Sequence, residues 1–375
     1  MDFDNIRPYS DAELPLVLKR IRSNKWVLEG IRSAYLSKLP KVMNKFAENL
    51  IYQFLKFKTA GIKTTDQFRE KISLNILVKN LVRDTTAGIS YTGLENLDLN
   101  KSYIFISNHR DIVLDPAFMI STLYEYGFNF PQIAFGDNLM FNDIVSDIIR
   151  VNNGMIVKRN LPMREQIGAS LNLSAYMCSV IDNNTSIWIA QREGRAKDGL
   201  DKTNPAVLKM IYLSKRKELS FTEFIKKYQI VPVSISYEYD PLDRGKGWSI
   251  SRKRVHGSDV KRKYEDLIHM ASGLKGYKGK VNLAFSEPLS GKFKNEVAAA
   301  QVLDEKIHRS YRLWKTNYIS YDLLNKSKKY DNKYTTADVE KFLNRYKRLS
   351  GEIRDIVLES YANPVASYEN YISGK

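Results

Sequence analysis

The chain of 375 residues is long enough for one large domain or two ordinary ones, and its 43% apolar residues exclude a disordered protein. A single cysteine, Cys178, excludes an internal disulfide framework and suits a reducing compartment. The 59 Lys and Arg against 42 Asp and Glu give a net charge of +17, which favours an anionic partner, either nucleic acid or an acidic membrane surface.

The N-terminal region, residues 1–87, has the apolar periodicity of helices. Phe46, Leu50, Phe54 and Phe57 follow one another at spacings of three or four, so they share one helix face, and lysines surround them. Two interpretations remain open and can coexist. The region is either a helical layer packed on the main domain or an amphipathic surface that lies on lipid.

The N-terminal segment is acidic and lacks the apolar core of a signal peptide. The longest charge-free stretch, residues 166–181, is too short and too polar to span a bilayer. We therefore expect neither a signal peptide nor an integral membrane protein.

Between residues 88 and 290, short apolar runs alternate with helical patterns. This alternation predicts an α/β fold with a mixed, largely parallel sheet flanked by helices, in which ligands bind at the carboxyl ends of the strands. The predicted strands are ISYT (89–92), SYIFIS (102–107), QIAFG (132–136), GMIVKR (154–159), SIWIAQ (186–191), IVPVSISYE (230–238) and KVNLAFSEP (280–288).

After this α/β domain of residues 88–290, the pattern returns to charged helices. It predicts a C-terminal helical region over residues 291–360 and a loose polar tail over 361–375. The four histidines of the chain are scattered, without the paired spacing of metal ligands, so we expect no metal site.

The stretch SNHRDIVLDP places a histidine directly after a predicted strand, with two carboxylates just beyond it. At that position His109 can act as a general base, provided that a carboxylate orients the ring and stabilises the imidazolium. Asp115 begins the following helix and can fold back to the ring, and Asp111 is the alternative partner. The structural alternative is that Asp115 only caps the helix.

Two other strand ends carry charged residues. Lys158 and Arg159 end the fourth predicted strand, and Glu193, Gly194 and Arg195 lie in the loop after the fifth. The planar fork of arginine binds phosphate, and a glycine lets backbone N–H groups approach an anion. These strand ends predict an anion-binding site, although the lysine–arginine pair also fits a solvated strand end.

The order of these segments resembles the four blocks of the glycerolipid acyltransferases, the family that includes lysophosphatidate and glycerol-3-phosphate acyltransferases. The matching segments are SNHRDIVLDP, GMIVKR, IAQREGRAKDG and IVPVSI, and the wording is most similar to a bacterial branch described as 1-acylglycerol-3-phosphate acyltransferase-like. The first block departs from the family because five residues, not four, separate His109 from Asp115. In the third block, Gln191 and Arg192 replace the usual aromatic residue and proline.

The resemblance implies transfer of a fatty acyl group from a thioester, acyl-CoA or acyl carrier protein, to a hydroxyl of a lysophospholipid or glycerol phosphate. It implies His109 as the base, Asp115 as its partner, no covalent intermediate and no cofactor. Lys158, Arg159 and Arg195 would hold the acceptor phosphate, with Glu193 and Gly194 in the same loop positioning the acceptor. The enzyme would be cytoplasmic and bound peripherally to the inner face of a bacterial membrane, in phospholipid biosynthesis.

Two other functions remain open at this stage. One keeps the chemistry but uses an amino-acid acceptor, as in aminolipid synthesis, which would make the protein an N-acyltransferase. The other is a non-enzymatic, basic nucleic-acid-binding protein. It accounts for the charge but not for the polar strand ends, and the sequence has no helix-turn-helix, zinc-knuckle or RNP-type signature.

Overall fold

The computed structural model describes residues 2–36, 39–159, 161–257, 262 and 264–373. The chain forms two compact units. Unit 1 consists of residues 1–80 and 130–176, and unit 2 consists of residues 81–129 and 177–375. The region boundaries predicted at residues 88, 290 and 360 concern the α/β domain and its helical additions, and they stay a prediction.

The strands of the described residues coincide with the seven apolar runs predicted from the sequence. They are β1 (Ile89–Thr92), β2 (Ile104–Ser107), β3 (Gln132–Gly136), β4 (Gly154–Val157), β5 (Ile187–Ala190), β6 (Ile230–Tyr237) and β7 (Val281–Phe285). Most of these runs are rich in isoleucine, valine and aromatic residues, which suit the buried, pleated surface of a sheet.

The helices before β5 are α1 (Leu14–Ser23), α2 (Lys25–Tyr35), α3 (Asn44–Lys58), α4 (Thr65–Phe68), which runs through the π-helix Arg69–Val78 into α5 (Lys79–Thr85), α6 (Leu114–Tyr126), α7 (Asp143–Val151) and α8 (Met163–Asp182). Those after β5 are α9 (Pro205–Tyr212), α10 (Phe221–Tyr228), α11 (Asp243–His256), α12 (Glu265–Lys275), α13 (Glu296–Ser310), α14 (Lys315–Asn325), α15 (Thr336–Asn344) and α16 (Gly351–Ser373). Short 3₁₀ turns occupy Lys41–Met43, Leu94–Asn96, Asp137–Leu139 and Asp331–Lys333.

In the described residues of unit 2, five strands follow one another in the order β1-β7-β6-β2-β5. β1 pairs in parallel with β7, and β2 pairs in parallel with both β5 and β6, whereas β6 and β7 are antiparallel. The predicted fold class, a mixed and largely parallel sheet flanked by helices, is confirmed. β2 has neighbours on both sides, and its residues Ile104, Phe105 and Ile106 are fully buried.

Unit 1 is mostly helical and contains β3 and β4, which pair in parallel. Its apolar residues form two clusters. One joins α1 to Phe68 and Val151, and the other is formed by Ile144, Val145 and Ile149 of α7 with Ile156 of β4. The apolar residues of α1 and α7 therefore hold these two helices in the unit.

The predicted loose tail at residues 361–375 is wrong for its described part, because α16 continues to Ser373. Tyr361, Ala362 and Val365 are buried, and Tyr361 belongs to an apolar cluster with residues of α14 and α15. The Tyr361 hydroxyl also accepts a hydrogen bond from the Asp240 backbone N–H at 2.8 Å. These tertiary contacts order a segment whose local composition is polar. Of the helices in the described residues, none combines the length and apolar character that a membrane span requires.

Candidate active site

The loops that follow β2 and β5 lie at the same edge of the sheet in unit 2. Ser107, the last residue of β2, is in register with Ala190, the last residue of β5, and with Val233 of β6. Because β2 and β5 run in parallel and end together, the segments after them leave the sheet side by side. The Ala196 N–H, in the loop after β5, donates to the His109 carbonyl oxygen at 2.8 Å.

Asn108 anchors the loop that carries the histidine. Its buried amide accepts from the Ile235 N–H at 2.7 Å and donates to the Ile235 carbonyl at 2.9 Å, so a side chain pairs with the backbone of β6. These two hydrogen bonds replace the backbone pairing with β6 that β2 no longer makes after Ser107. The backbone beside His109 is therefore fixed relative to β6.

Trp188 of β5 supports the same loop from the other side. Its indole N–H donates to Ser107 Oγ at 2.9 Å, and that hydroxyl donates to the Asn108 carbonyl at 2.7 Å. The Trp188 and His109 rings meet edge to face, with centroids 5.8 Å apart. The imidazole is thus packed against a buried aromatic ring while 14% of its side chain remains exposed.

His109 pairs with Asp115 in the structure. Its Nδ1 lies 2.8 Å from Asp115 Oδ2, and the carboxylate is fully buried in the first turn of α6. The same Oδ2 accepts the backbone N–H groups of Arg110 at 2.6 Å and Asp111 at 3.0 Å, while Oδ1 accepts the Tyr237 hydroxyl at 2.6 Å. The five intervening residues form the turn that brings these groups to one carboxylate.

The protonation states follow from this set of donors. Burial alone would raise the pKa of Asp115, but the hydrogen bond and charge of His109 and the other donors hold it below its usual value. An ionised Asp115 accepts the proton on His109 Nδ1. Nε2 then carries the lone pair that a general base needs.

Asp111, the alternative partner, has a different role in the structure. Its Oδ1 accepts the N–H groups of Val113 at 2.8 Å and Leu114 at 2.9 Å, and so caps the start of α6. Its Oδ2 is buried without a hydrogen-bond partner in the part of the chain that the structure describes. Burial and the neighbouring Asp115 charge raise the pKa of Asp111, which makes it a poor partner for an imidazolium.

This assignment predicts the behaviour of Asp111→Asn. The amide keeps an oxygen for the cap and removes a buried carboxylate, so we expect activity within about threefold of wild type and an unfolding free energy equal or higher at pH 7. Because the folded-state pKa of Asp111 is raised, wild type loses stability as the pH rises from about 4 through that pKa. The variant lacks this loss, so its free energy of unfolding relative to wild type should be more favourable at pH 7 than at pH 4. Urea unfolding at both pH values measures it. A large loss of acyl transfer in the folded variant would instead make Asp111 part of the catalytic apparatus.

Arg110 and Asp201 form a buried ion pair beside the histidine loop. The Arg110 guanidinium donates to Asp201 Oδ2, and the side chains are 5% and 1% exposed. Burial alone would lower the pKa of Arg110, but the Asp201 charge raises it above its ordinary value, so the guanidinium stays charged. Asp201 also accepts from Asn108 Nδ2 at 3.2 Å. The pair links the loop after β2 to the chain that follows the Glu-Gly-Arg loop.

In the Glu-Gly-Arg loop, the three predicted residues have different environments. Glu193 and Gly194 are exposed, and Gly194 has a φ of +72° with open space around its Cα, so glycine is needed for the backbone conformation. The Arg195 side chain is only 7% exposed, and its Nη2 donates to Asp266 at 3.0 Å and lies 3.2 Å from His269 Nδ1.

The partners of Arg195 come from α12. Burial and the Arg195 charge lower the pKa of His269 to about 4, so the imidazole is neutral and its Nδ1 accepts from the guanidinium. Within the described residues, Arg195 Nη1 is buried without a hydrogen-bond partner. Arg195 is therefore held by its own chain on one nitrogen and retains a donor on the other. Its predicted contact with an acceptor phosphate stays a prediction.

Lys158 and Arg159 belong to unit 1 and follow β4. Lys158 is exposed, whereas Arg159 is half-buried with its backbone N–H 3.3 Å from Asp137 Oδ2. The Arg159 guanidinium passes over Gly136, where an added Cβ would lie 2.7 Å from Arg159 Cζ. Their part in binding an acceptor also stays a prediction.

We call the His109–Asp115 pair the dyad. Several residues around the dyad could not be identified from local sequence patterns. Tyr237, Trp188 and Asp201 are distant from His109 in the chain, and each lies in a segment that fits an ordinary strand or loop. Arg110 was the available clue, because an arginine this close to a buried strand needs a counter-charge wherever its own side chain is buried.

Two observations on the described residues concern metal ligands and the single thiol. No group of three or more His, Cys, Asp or Glu side chains there could hold a metal ion. Cys178 is buried in α8, and burial raises the pKa of its thiol, which disfavours a thiolate nucleophile.

Comparison with known proteins gives a family match for one segment of the chain. Residues 88–236 match the family model described as Acyltransferase, a segment that contains the dyad and the Glu-Gly-Arg loop. No curated protein sequence matched the chain. Among solved structures, the chain is similar to the 1-acyl-sn-glycerophosphate (LPA) acyltransferase PlsC from Thermotoga maritima, with 16% identity over 79% of this chain and 92% of that one and a TM-score of 0.36, too low to support a conclusion. Through residues 88–236 the resemblance is confirmed, because this segment matches the acyltransferase family model.

Proposed function

We propose that the protein transfers a fatty acyl group from a thioester, either acyl-CoA or acyl carrier protein, to a hydroxyl of a lysophospholipid or glycerol phosphate. The observation that carries the proposal is the 2.8 Å bond between His109 Nδ1 and the buried Asp115 carboxylate, within the segment that matches the family model. A base held in this way can activate a hydroxyl without a nucleophile on the enzyme.

In the proposed reaction, His109 Nε2 takes the proton of the acceptor hydroxyl as its oxygen attacks the thioester carbonyl carbon. The carbon–sulfur bond then breaks, the imidazolium returns the proton to the leaving thiolate, and the products are an ester and a free thiol. The buried Asp115 carboxylate stabilises the imidazolium that forms between the two steps, an interaction that is strong because water is excluded.

Arg195 Nη1 of unit 2 is the proposed donor to the acceptor phosphate. The supporting observation is that Arg195 Nη1 is a buried N–H group without a partner among the described residues. An arginine held by Asp266 on Nη2 is already oriented when an anion reaches its other nitrogen, which limits the entropy that binding costs.

The experiment that tests this function supplies the purified protein with labelled acyl-CoA or acyl carrier protein and a panel of acceptors. The panel contains lysophosphatidate, glycerol 3-phosphate, a neutral lysolipid and an amino-acid acceptor, and mass spectrometry identifies the product. An acylated glycerol phosphate derivative is the expected result. An N-acyl amino acid as the main product, or no acylated product with any pair, would contradict the proposal.

We further propose that the protein acts while bound peripherally to an anionic membrane surface, through α3 of unit 1. Ala47 and Ile51 of this helix are buried, so α3 does pack within its unit. The four apolar residues predicted to share a face are nevertheless exposed, by 60% at Phe46, 52% at Leu50, 55% at Phe54 and 76% at Phe57. Phenylalanines of this kind, flanked by the exposed Lys45, Lys56 and Lys58, suit the interface of an acidic bilayer.

The α3 surface gives a direct prediction for Phe54→Asp. Loss of an inserted aromatic ring and the addition of a negative charge should lower the partition coefficient for vesicles with anionic lipid by about tenfold or more. Asn49→Asp adds the same charge at another exposed position of α3 and is the matched control, with an expected change of about threefold or less. Vesicle sedimentation measures both. Equal losses for the two variants would mean that charge alone, and not the apolar face, is responsible.

A further inference from the structure

Tyr237, the last residue of β6, contacts the dyad from outside the segment that matches the family model, which ends at residue 236. Its hydroxyl donates to Asp115 Oδ1 at 2.6 Å, and its side chain lies in the interior, 3% exposed. The ring packs against Phe118 of α6, with centroids 6.2 Å apart. The phenol is therefore fixed by strand pairing and by packing before it meets the carboxylate.

The two oxygens of Asp115 have different partners. Oδ2 accepts three hydrogen bonds, from His109 Nδ1 and from the backbone N–H groups of Arg110 and Asp111. Among the described residues, the hydrogen bond to Oδ1 comes from Tyr237. All three bonds at Oδ2 act close to one point, so the contact at Oδ1 determines the rotation of the carboxylate plane about its Cβ–Cγ bond.

We propose that Tyr237 is a positioning residue for acyl transfer, which acts on His109 through Asp115 and touches neither substrate. The inference rests on the proposed function, since it assumes that the dyad is the base. Burial and the charges of Asp115 and Asp111 raise the pKa of Tyr237 well above its ordinary value, so the phenol stays a donor. The titratable and charged groups facing Asp115 are His109, Arg110 and Asp111 from the loop after β2, and β6 supplies the Tyr237 phenol.

Tyr237→Phe in the full chain tests the proposal, because it removes one oxygen and keeps the ring. We expect kcat to fall about tenfold or more, with KM for donor and acceptor within about threefold of wild type. The hydroxyl is one of the donors that hold the pKa of Asp115 low, so without it the carboxylate takes a proton at higher pH. A carboxylate without this donor also stabilises the imidazolium more strongly, so the acidic limb of the kcat/KM profile, which reports protonation of the base, should move to higher pH.

Tyr103→Phe is the matched control. This tyrosine is also buried and hydrogen-bonded, but its hydroxyl contacts the Asp98 backbone at the opposite end of β2 from His109. Loss of that bond should cost similar stability and leave kcat and the pH profile unchanged. A drop in activity that matches the loss of stability in both variants, without a shift of the acidic limb, would make Tyr237 purely structural and would overturn the proposal.

A double variant tests the route through Asp115. In an Asp115→Asn background, Tyr237→Phe should change the residual rate by less than about twofold, because the interaction through which it acts is already lost. Independent, multiplicative losses would contradict a route through Asp115. Failure of the proposed function is recognised separately, by a His109→Ala variant that retains normal turnover, whereas an inert Tyr237→Phe with an inactive His109→Ala removes only the positioning role.

Discussion

His109→Ala is expected to lower kcat/KM for acyl transfer by about 10²- to 10⁴-fold, which is the range that a positioned general base contributes. The imidazole has a buried, ionised partner while its own side chain remains 14% exposed, which is the arrangement that a general base needs. Because the ring lies at the edge of the sheet, its removal should leave the fold intact. Initial rates with saturating donor measure the effect, and circular dichroism with thermal unfolding checks the fold.

Two further variants serve as the control and as a test of the carboxylate partner. His256→Ala removes a histidine that is exposed at the end of α11, and it should retain wild-type rates. Asp115→Asn keeps the shape of the dyad but removes the charge that stabilises the imidazolium, so its loss should approach that of His109→Ala. Turnover of His109→Ala within about tenfold of wild type would refute the assignment of the base.

The strands of this protein were predictable because each is a short run of β-branched and aromatic residues between turn signals, and all seven occur where the pattern puts them. The choice between Asp111 and Asp115 was not predictable, since both lie within reach of the histidine along the chain. It depends on the turn, in which Asp111 caps α6 and Asp115 turns back to the ring. Spacing alone does not distinguish these two geometries.

Other features depend on contacts between segments that are distant in the chain. Tyr237 reaches Asp115 across 122 positions, and Arg195 meets Asp266 across 71. Sequence patterns predicted that Arg195 would present its guanidinium to a ligand, and nothing local indicated that α12 supplies a carboxylate and a neutral histidine to it. The sequence patterns did not predict that the C-terminal segment is an ordered helix, for the same reason. Tyr361 in this segment is held by tertiary contacts.

Asp201→Asn is expected to lower the free energy of unfolding by about 3–5 kcal/mol, since it removes the carboxylate charge that is hydrogen-bonded to the buried Arg110 guanidinium. The asparagine can still accept from Asn108, so the loss reports mainly the unpaired guanidinium. Glu305→Gln is the control. It breaks an exposed ion pair with Arg309 one helical turn away and should cost about 0.5 kcal/mol or less. Equilibrium urea unfolding of both variants measures the difference.

A second substitution at the Arg110–Asp201 ion pair shows whether the loss of stability comes from the unpaired charge or from poorer packing. Adding Arg110→Met to Asp201→Asn removes the buried cation while keeping an unbranched side chain of similar length, so part of the lost stability should return. A packing defect would instead deepen with the second substitution. Because Arg110 directly follows His109, the double variant should also lose acyl transfer if the buried ion pair holds the histidine loop in place. A stable double variant with wild-type turnover would show that Asn108 and Trp188 are sufficient to position the base.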